Sequence, residues 1–268
     1  MDDPITSAAN PRIKALVRLR SRRARDASGL FPIEGYREVL RAVDAGVEIV
    51  ELYVCPPLYL GANEAALAER AAAAGARVVE VAETPFRKAS YRDRPEGLLA
   101  LARQFDTSLE RLATGPDPLL LVAESIEKPG NLGTMLRTAE ASGADAVVAA
   151  DPTTDPFNPN TVRASLGTLF RVPLAVADSP AVVAWLRSGG IRILAATPAG
   201  AVPHWEADMR GPVALVIGSE QYGLSDVWME TADDRVVIPM PGSVDSLNAA
   251  MAAGILLFEA VRQRSATG

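Results

Sequence analysis

Between residues 118 and 239 the sequence repeats one alternation. Short, almost unbroken apolar runs are separated by polar or amphipathic stretches. The runs are Pro118 to Ser125, Ala146 to Ala150, Val172 to Ala177, Ile191 to Thr197, Val213 to Ile217 and Arg235 to Pro239. Strands that are apolar throughout, rather than at every second residue, are buried on both faces, as in a parallel sheet with helices on either side. The spacing predicts helices over Asn131 to Ser142, Pro180 to Ser188 and Ser246 to Gln263. In the last of these Leu247, Met251, Ile255, Leu256 and Ala260 recur at helical spacing and are expected in the core. The fold class is therefore α/β with a mostly parallel sheet.

A second α/β pattern precedes this one. Glu34 to Ala45 reads as a helix with Tyr36, Val39, Leu40 and Val43 on one face, followed by a strand from Ile49 to Cys55. An alanine-rich helix from Ala62 to Ala74 closes at Gly75, and strands follow over Arg77 to Ala82 and Gly97 to Arg103. Residues 104 to 117 are polar and include the turn-prone Gly115-Pro116-Asp117. The expected organisation is a small domain over 1–105, a linker over 106–117 and a larger domain over 118–268.

Several function classes fall away early. No apolar run is long enough to span a bilayer and no secretory segment opens the chain, so a cytoplasmic location without membrane contact is expected. The single cysteine, Cys55, and single histidine, His204, predict neither a disulfide nor a metal site. No Gly-x-Gly-x-x-Gly follows a candidate strand, and there is no phosphate-binding Gly-x-x-x-x-Gly-Lys or nucleophilic Gly-x-Ser-x-Gly turn. A dehydrogenase, a P-loop nucleotidase and a serine hydrolase are thereby disfavoured.

Charge is unevenly spread. The sequence pI is near 5.0, yet residues 1–105 hold 16 Lys/Arg against 14 Asp/Glu. Arg12, Lys14, Arg18, Arg20, Arg22, Arg23 and Arg25 lie in a stretch without an acid, and Arg87, Lys88, Arg92 and Arg94 surround Tyr91. Such clusters are either solvated helix faces or phosphate-contacting surfaces that gain affinity by releasing counterions. Arg18, Arg20, Arg22, Arg23 and Arg25 are the candidate nucleic-acid contacts of this tract.

Three motifs in the larger domain follow strand ends, where open α/β sheets bind ligands. The first runs from Glu124 through Pro129-Gly130-Asn131-Leu132-Gly133 to Arg137 and Gly143, with Asn131 expected at a helix N-cap. There Arg137, among Met135, Leu136 and Ala139, points to an anion or an interface partner. The second is Gly218-Ser219-Glu220-Gln221-Tyr222-Gly223-Leu224-Ser225, a turn bearing a carboxylate. The third is Ile238-Pro239-Met240-Pro241-Gly242 followed by Ser246-Leu247-Asn248-Ala249-Ala250, with Ser246 as the expected cap of the last helix.

In this order and spacing the motifs resemble the SpoU (TrmH-like) branch of the SPOUT RNA 2′-O-ribose methyltransferases. Arg163-Ala164-Ser165-Leu166-Gly167-Thr168-Leu169-Phe170 is similar to that family's segment between the first and second motifs. Phe31-Pro32-Ile33-Glu34-Gly35 resembles the start of its N-terminal domain, which is like ribosomal protein L30e. The resemblance implies a deep trefoil knot in the C-terminal domain and a homodimer formed through it. It implies S-adenosylmethionine, held by Thr197, Gly218, Ile238, Met240 and Leu247, and chemistry at Arg137, Asn131, Glu220, Ser246 and Asn248. It further implies RNA contact by Arg163, no metal, and a structured loop of 23S ribosomal RNA as substrate. Transfer RNA as the target, and a catalytically silent RNA-binding homologue, are the alternatives. The alanine- and arginine-rich composition is that of a GC-rich genome. The chain is also similar to methyltransferases that protect the ribosome from thiostrepton or avilamycin.

Overall fold

The computed structural model describes residues 3–266, and the chain divides into two units. The first contains residues up to Phe105. Two short helices, α1 (Pro11–Arg18) and α2 (Arg22–Ser28), precede strand β1 (Leu30–Glu34) and helix α3 (Tyr36–Asp44). Then come β2 (Ile49–Val54), α4 (Glu64–Ala73), β3 (Arg77–Glu80), α5 (Glu83–Ala89) and β4 (Leu98–Arg103). The four strands form one sheet in the order β1-β4-β2-β3, antiparallel except for the β2–β3 pair. Ile13 and Leu16 of α1, Phe86 of α5 and Tyr53 and Leu99 of the sheet are buried in one cluster.

The expected helix over Glu34 to Ala45 begins two residues late, because Phe31 to Glu34 extends as β1. Pro32 lies in that strand, which is tolerated because β1 is at the sheet edge, where a missing N–H leaves no ladder bond unmade.

The second unit is built on seven strands. β5 (Leu119–Glu124) leads through α6 (Pro129–Ser142) to β6 (Ala146–Ala150). The next helix, α7 (Pro159–Ser165), lies in residues 155–170, which pack with the first unit. The second unit resumes with β7 (Leu174–Ala177), α8 (Ser179–Ser188), β8 (Arg192–Ala196), β9 (Val202–Pro203) and β10 (Val213–Ile217). It ends with α9 (Asp226–Thr231), β11 (Asp234–Val237) and α10 (Ala249–Ser265). The sheet order is β7-β6-β5-β10-β8-β11-β9, and its six pairings are all parallel.

All residues of β5, β6 and β10 are buried, which explains their unbroken apolar runs. On one face α8 and α9 pack over Leu120, Val122, Val148, Ile193 and Val216. There the fully buried Trp228 donates its indole N–H to Ser179 Oγ at 2.9 Å, as a buried indole requires. Helices α6 and α10 pack against each other, with α10 also touching β10 and β5.

Three expectations change. Residues 106–117 are tied into the second unit: Leu109 is buried in its core and Val176 N–H donates to the Thr107 carbonyl at 2.7 Å. Met251, expected in the core, is 62% exposed, because the start of α10 buries Ala249, Ala250 and Ala253 instead. Arg25, read as an RNA contact, is only 1% exposed. Its guanidinium donates to the carbonyls of Leu19 at 2.7 Å and Arg20 at 3.0 Å and pairs with Asp155 at 2.5 Å. A side chain so enclosed cannot reach a phosphate.

The Arg25–Asp155 pair anchors residues 155–170 to the first unit. Removing one member of a buried pair leaves the other charge uncompensated, at a cost of about 3–5 kcal/mol. Asp155→Ala is expected to lower the urea midpoint of unfolding accordingly, whereas Asp26→Ala, which touches only the exposed Arg22, leaves it nearly unchanged.

Candidate active site

Loops leaving the C-terminal ends of neighbouring parallel strands enclose a cavity of about 430 Å³. Residues 197–199 follow β8, residues 218–224 follow β10, and residues 238–247 follow β11. Thr197, Gly218, Ile238, Met240 and Leu247, the five candidate cofactor contacts, all line it, and so do Glu220 and Ser246. Much of the wall is apolar, with Ile217, Leu224 and Val236 joining Ile238 and Leu247.

The second motif owes its shape to close backbone packing. Ser219 and Gly223 exchange backbone hydrogen bonds at 3.1 and 3.0 Å, and Ser219 Oγ accepts from Tyr222 N–H at 3.0 Å. The turn folds back so tightly that a Cβ on Gly218 would lie 2.3 Å from the carbonyl carbon of Gly223. Only glycine fits there. The far end of the loop is held by Glu124, buried at the end of β5, whose carboxylate accepts from Ser225 N–H at 2.9 Å.

Glu220 gathers side chains from all three motifs. Its Oε1 accepts from Asn131 Nδ2 at 3.0 Å and from Asn248 Nδ2, while Oε2 accepts from Lys128 Nζ. Asn248 Nδ2 also reaches Asn131 Oδ1 at 3.1 Å. The ammonium of Lys128, then the amide of Asn131, hold the Glu220 carboxyl below the usual carboxylate range. A depressed pKa means that these contacts exist above the ordinary carboxylate pKa and are lost only as pH falls, so the cluster is intact at neutral pH. With three donors on its carboxylate and its proton affinity lowered, Glu220 is a scaffold and a poor base.

The caps differ from expectation. Helix α6 starts at Pro129 with Lys128 as N-cap, so Asn131 lies inside its first turn and spends its side chain on Glu220. Helix α10 is capped by Asn248, whose Oδ1 accepts from Ala250 N–H at 3.1 Å and Met251 N–H at 3.3 Å, and not by Ser246. Asn248 thus uses both ends of its amide: the oxygen caps, the nitrogen donates. Serine and aspartate make good caps, but an aspartate could not also donate to Glu220.

Arg137 stands apart. It is exposed on α6, has no hydrogen-bond or ion-pair partner among the described residues, and does not line the cavity. Its neighbours Met135, Leu136 and Ala139 turn inward to the core, and the arginine itself turns outward.

The sequence pattern described as the SpoU rRNA Methylase family matches residues 118–258, and that of an MRM3-like substrate binding domain matches residues 10–100. The chain belongs to the SpoU rRNA methylase family. It is 32% identical to the 23S rRNA (guanosine(2553)-2′-O)-methyltransferase of Bacillus subtilis, over 95% of this chain and 97% of that protein. It is 33% identical to the 23S rRNA (uridine(2479)-2′-O)-methyltransferase of Streptomyces viridochromogenes, over 92% and 87%. Its fold superposes on the crystal structure of an AdoMet-bound rRNA methyltransferase from Sinorhizobium meliloti with a TM-score of 0.89, at 34% identity over 97% of each chain.

Within this SpoU methylase, sequence reasoning missed Lys128 and named Glu124 as the start of the first motif without giving it a role. Lys128 directly precedes the Pro-Gly-Asn turn, and Glu124 is a carboxylate at a strand's C-terminal end. Both positions were legible signals, but the partners that give them meaning are 92 and 101 residues away. Among the described residues no group of three potential metal ligands gathers, and no helix is long and apolar enough to cross a membrane.

Gly218 provides a direct test of this packing. Gly218→Ala must push backbone aside, at about 1–3 kcal/mol, a melting-temperature loss of roughly 2–10 °C. Gly130→Ala adds a methyl into open space and should leave the melting temperature unchanged. Equal stability of the two variants would contradict the close approach.

Proposed function

We propose that the protein transfers a methyl group from S-adenosylmethionine to a ribose 2′-hydroxyl of 23S ribosomal RNA, acting in the cytoplasm. The observation that carries this reading is the convergence of three strand-end loops on one cavity, with Glu220 joining that cavity to Asn131 and Asn248. The Bacillus and Streptomyces relatives, both 23S rRNA 2′-O-methyltransferases, support it.

The cavity suits the cofactor. Its volume lies in the range of about 300–1,000 Å³ typical of small-molecule sites. Apolar walls and exposed loop backbone match a nucleoside with an amino-acid tail. Thr197, Gly218, Ile238, Met240 and Leu247 would hold it, threaded in the knot that the family resemblance implies. When bound, the cofactor supplies an electrophilic methyl carbon and needs no metal.

The chain's own residues supply orientation and charge. Glu220 fixes the amides of Asn131 and Asn248, and with Ser246 at the rim these orient the ribose. Arg137 stabilises the alkoxide that forms as the hydroxyl loses its proton, and anchors an adjacent phosphate. A guanidinium is effectively always protonated, so its role is electrostatic. Arg137 is exposed and unpaired among the described residues, and the surface nearby is apolar: Met251 is 62% exposed and Phe258, two turns along α10, is 50% exposed. This supports a homodimer through the α6–α10 face, in which Arg137 completes the site of the partner subunit. The exposed Arg18, Arg20, Arg22, Arg23 and Arg163 are the RNA contacts of the first unit in this reading.

Transfer of tritiated methyl to transcribed 23S rRNA, followed by primer extension, tests the function; the expected result is one new stop at a single nucleotide. Protection against thiostrepton or avilamycin in cells expressing the protein would extend the reading to resistance. Arg137→Ala should abolish transfer while calorimetry shows cofactor binding unchanged; retained turnover would remove Arg137 from the mechanism. Asn248→Asp keeps the cap but sets a second carboxylate against Glu220. It is expected to lower kcat on the order of 100-fold through misplacement, with helicity retained by circular dichroism.

A further inference from the structure

Three guanidinium groups of the first unit have no hydrogen-bond or ion-pair partner among the described residues, yet line one cavity: Arg37 on α3, Arg94 in the loop before β4, and Arg163 on α7. The cavity is open and holds about 670 Å³. All three side chains are exposed.

The base of this cavity is built from fixed groups. Arg92, largely buried, donates to Glu38 at 2.7 Å and to the carbonyl of Glu34 at 3.0 Å, and pairs with Glu96. Glu34, itself buried, accepts from the backbone N–H of Tyr91 at 2.7 Å. These contacts set the conformation of residues 91–96, and so the position of Arg94. Two of the three acids at the cavity are therefore spent on Arg92, and the third, Asp93, is exposed. Negative charge lies mainly in the enclosed base and positive charge at the mouth.

A crevice next to the cavity shares Arg92 and Arg163 with it and is lined by Tyr91 and Arg20. Tyr91 is 36% exposed, and its hydroxyl accepts from Asn160 Nδ2 at 3.1 Å. The Arg20 guanidinium sits 5.9 Å from the ring centroid, held by the carbonyls of Lys88 at 3.1 Å and Ser90 at 2.6 Å. The ring is thus fixed in place beside unpaired cations. Aromatic rings and arginine planes next to phosphate-binding cations are what unstacked bases of looped RNA require.

We infer that this cavity and its crevice form an RNA-gripping site, in which Arg37, Arg94 and Arg163 take backbone phosphates and Tyr91 stacks an unpaired base. The site shares Arg20 with the basic tract but takes none of Arg18, Arg22 and Arg23, and its assignment rests on the proposed action on ribosomal RNA. It also gives α7 a definite role, since Arg163 and Asn160 complete the site from a segment that the Arg25–Asp155 pair fixes to the first unit.

The test is fluorescence anisotropy of the full-length protein with labelled transcripts tiling 23S rRNA, over a range of salt. Arg37→Ala/Arg94→Ala is expected to weaken binding at least tenfold. It should also reduce the slope of log K against log salt by about 1.4–1.8, two phosphate contacts' worth. Tyr91→Ala should weaken binding roughly tenfold with the slope unchanged. Arg70→Ala, an exposed cation paired with Asp44 outside the cavity, should bind within twofold of wild type. Circular dichroism melting monitors folding of every variant, and calorimetry with S-adenosylmethionine monitors cofactor binding. Wild-type affinity and slope in the double variant would overturn the assignment. So would a larger loss in Arg18→Ala/Arg23→Ala, which would put the main grip on the tract. If the wild-type protein binds cofactor but no transcript, the ribosomal RNA reading fails, and this site with it.

Discussion

The second unit turns on one carboxylate. Glu220 accepts hydrogen bonds from Lys128, Asn131 and Asn248, side chains that lie 92, 89 and 28 residues away in sequence. A parallel sheet makes such a meeting possible, because every strand ends at the same edge and its loops emerge side by side. The sheet order sets β10 between β5 and β8, so the loop carrying Glu220 emerges next to the one that opens α6. The tight turn at Gly218 then aims the carboxylate. Loss of any of these three conditions would leave the same residues on the chain without a site.

The fold of the second unit was legible because burial on both faces writes itself into composition. β5, β6 and β10 are continuous apolar runs, and their boundaries follow from where polarity returns. The caps were harder to read. Asn131 and Ser246 both have cap chemistry and both stand near helix starts, but local sequence cannot show that Asn131 has a better acceptor in Glu220. Nor can it show that Asn248 uses its oxygen for the cap and its nitrogen for the cluster. Met251 repeats with the core residues of α10 and still faces outward, since helical spacing defines a stripe without fixing how much of its width the sheet covers. The cavity-lining residues follow from family resemblance alone, and their convergence depends on strand order, which periodicity does not encode.

Arginine carries the same ambiguity in the first unit. Arg18, Arg22, Arg23 and Arg25 are one tract in sequence, but Arg25 is enclosed with Asp155 whereas Arg18 and Arg23 are exposed. In the second basic cluster Arg87 pairs with Glu83 and Arg92 with Glu38 and Glu96, while Arg94 has no partner among the described residues. Net charge counts these alike. The distinction comes from acids both near and far in sequence, Glu83 and Glu96 four residues away and Glu38 and Asp155 54 and 130 residues away, so a charge map of the sequence overstates the cations available to RNA.

Fixed charge also decides how a ribose hydroxyl could be activated. A general base needs a vacant lone pair and a pKa near the working pH. Glu220 is held by three donors that lower its proton affinity, and Asn131, Asn248 and Ser246 are neutral. What the site offers is positive charge. The Lys128 charge is compensated by Glu220, so the free cation is the Arg137 that a second subunit brings in the proposed dimer. In that proposal a guanidinium near the ionising hydroxyl lowers its pKa and stabilises the alkoxide, so that water takes the proton as the new bond forms. Catalysis of this kind depends on where charge is held more than on proton affinity. A scaffold carboxylate that positions a lysine and two amides is the arrangement such chemistry calls for.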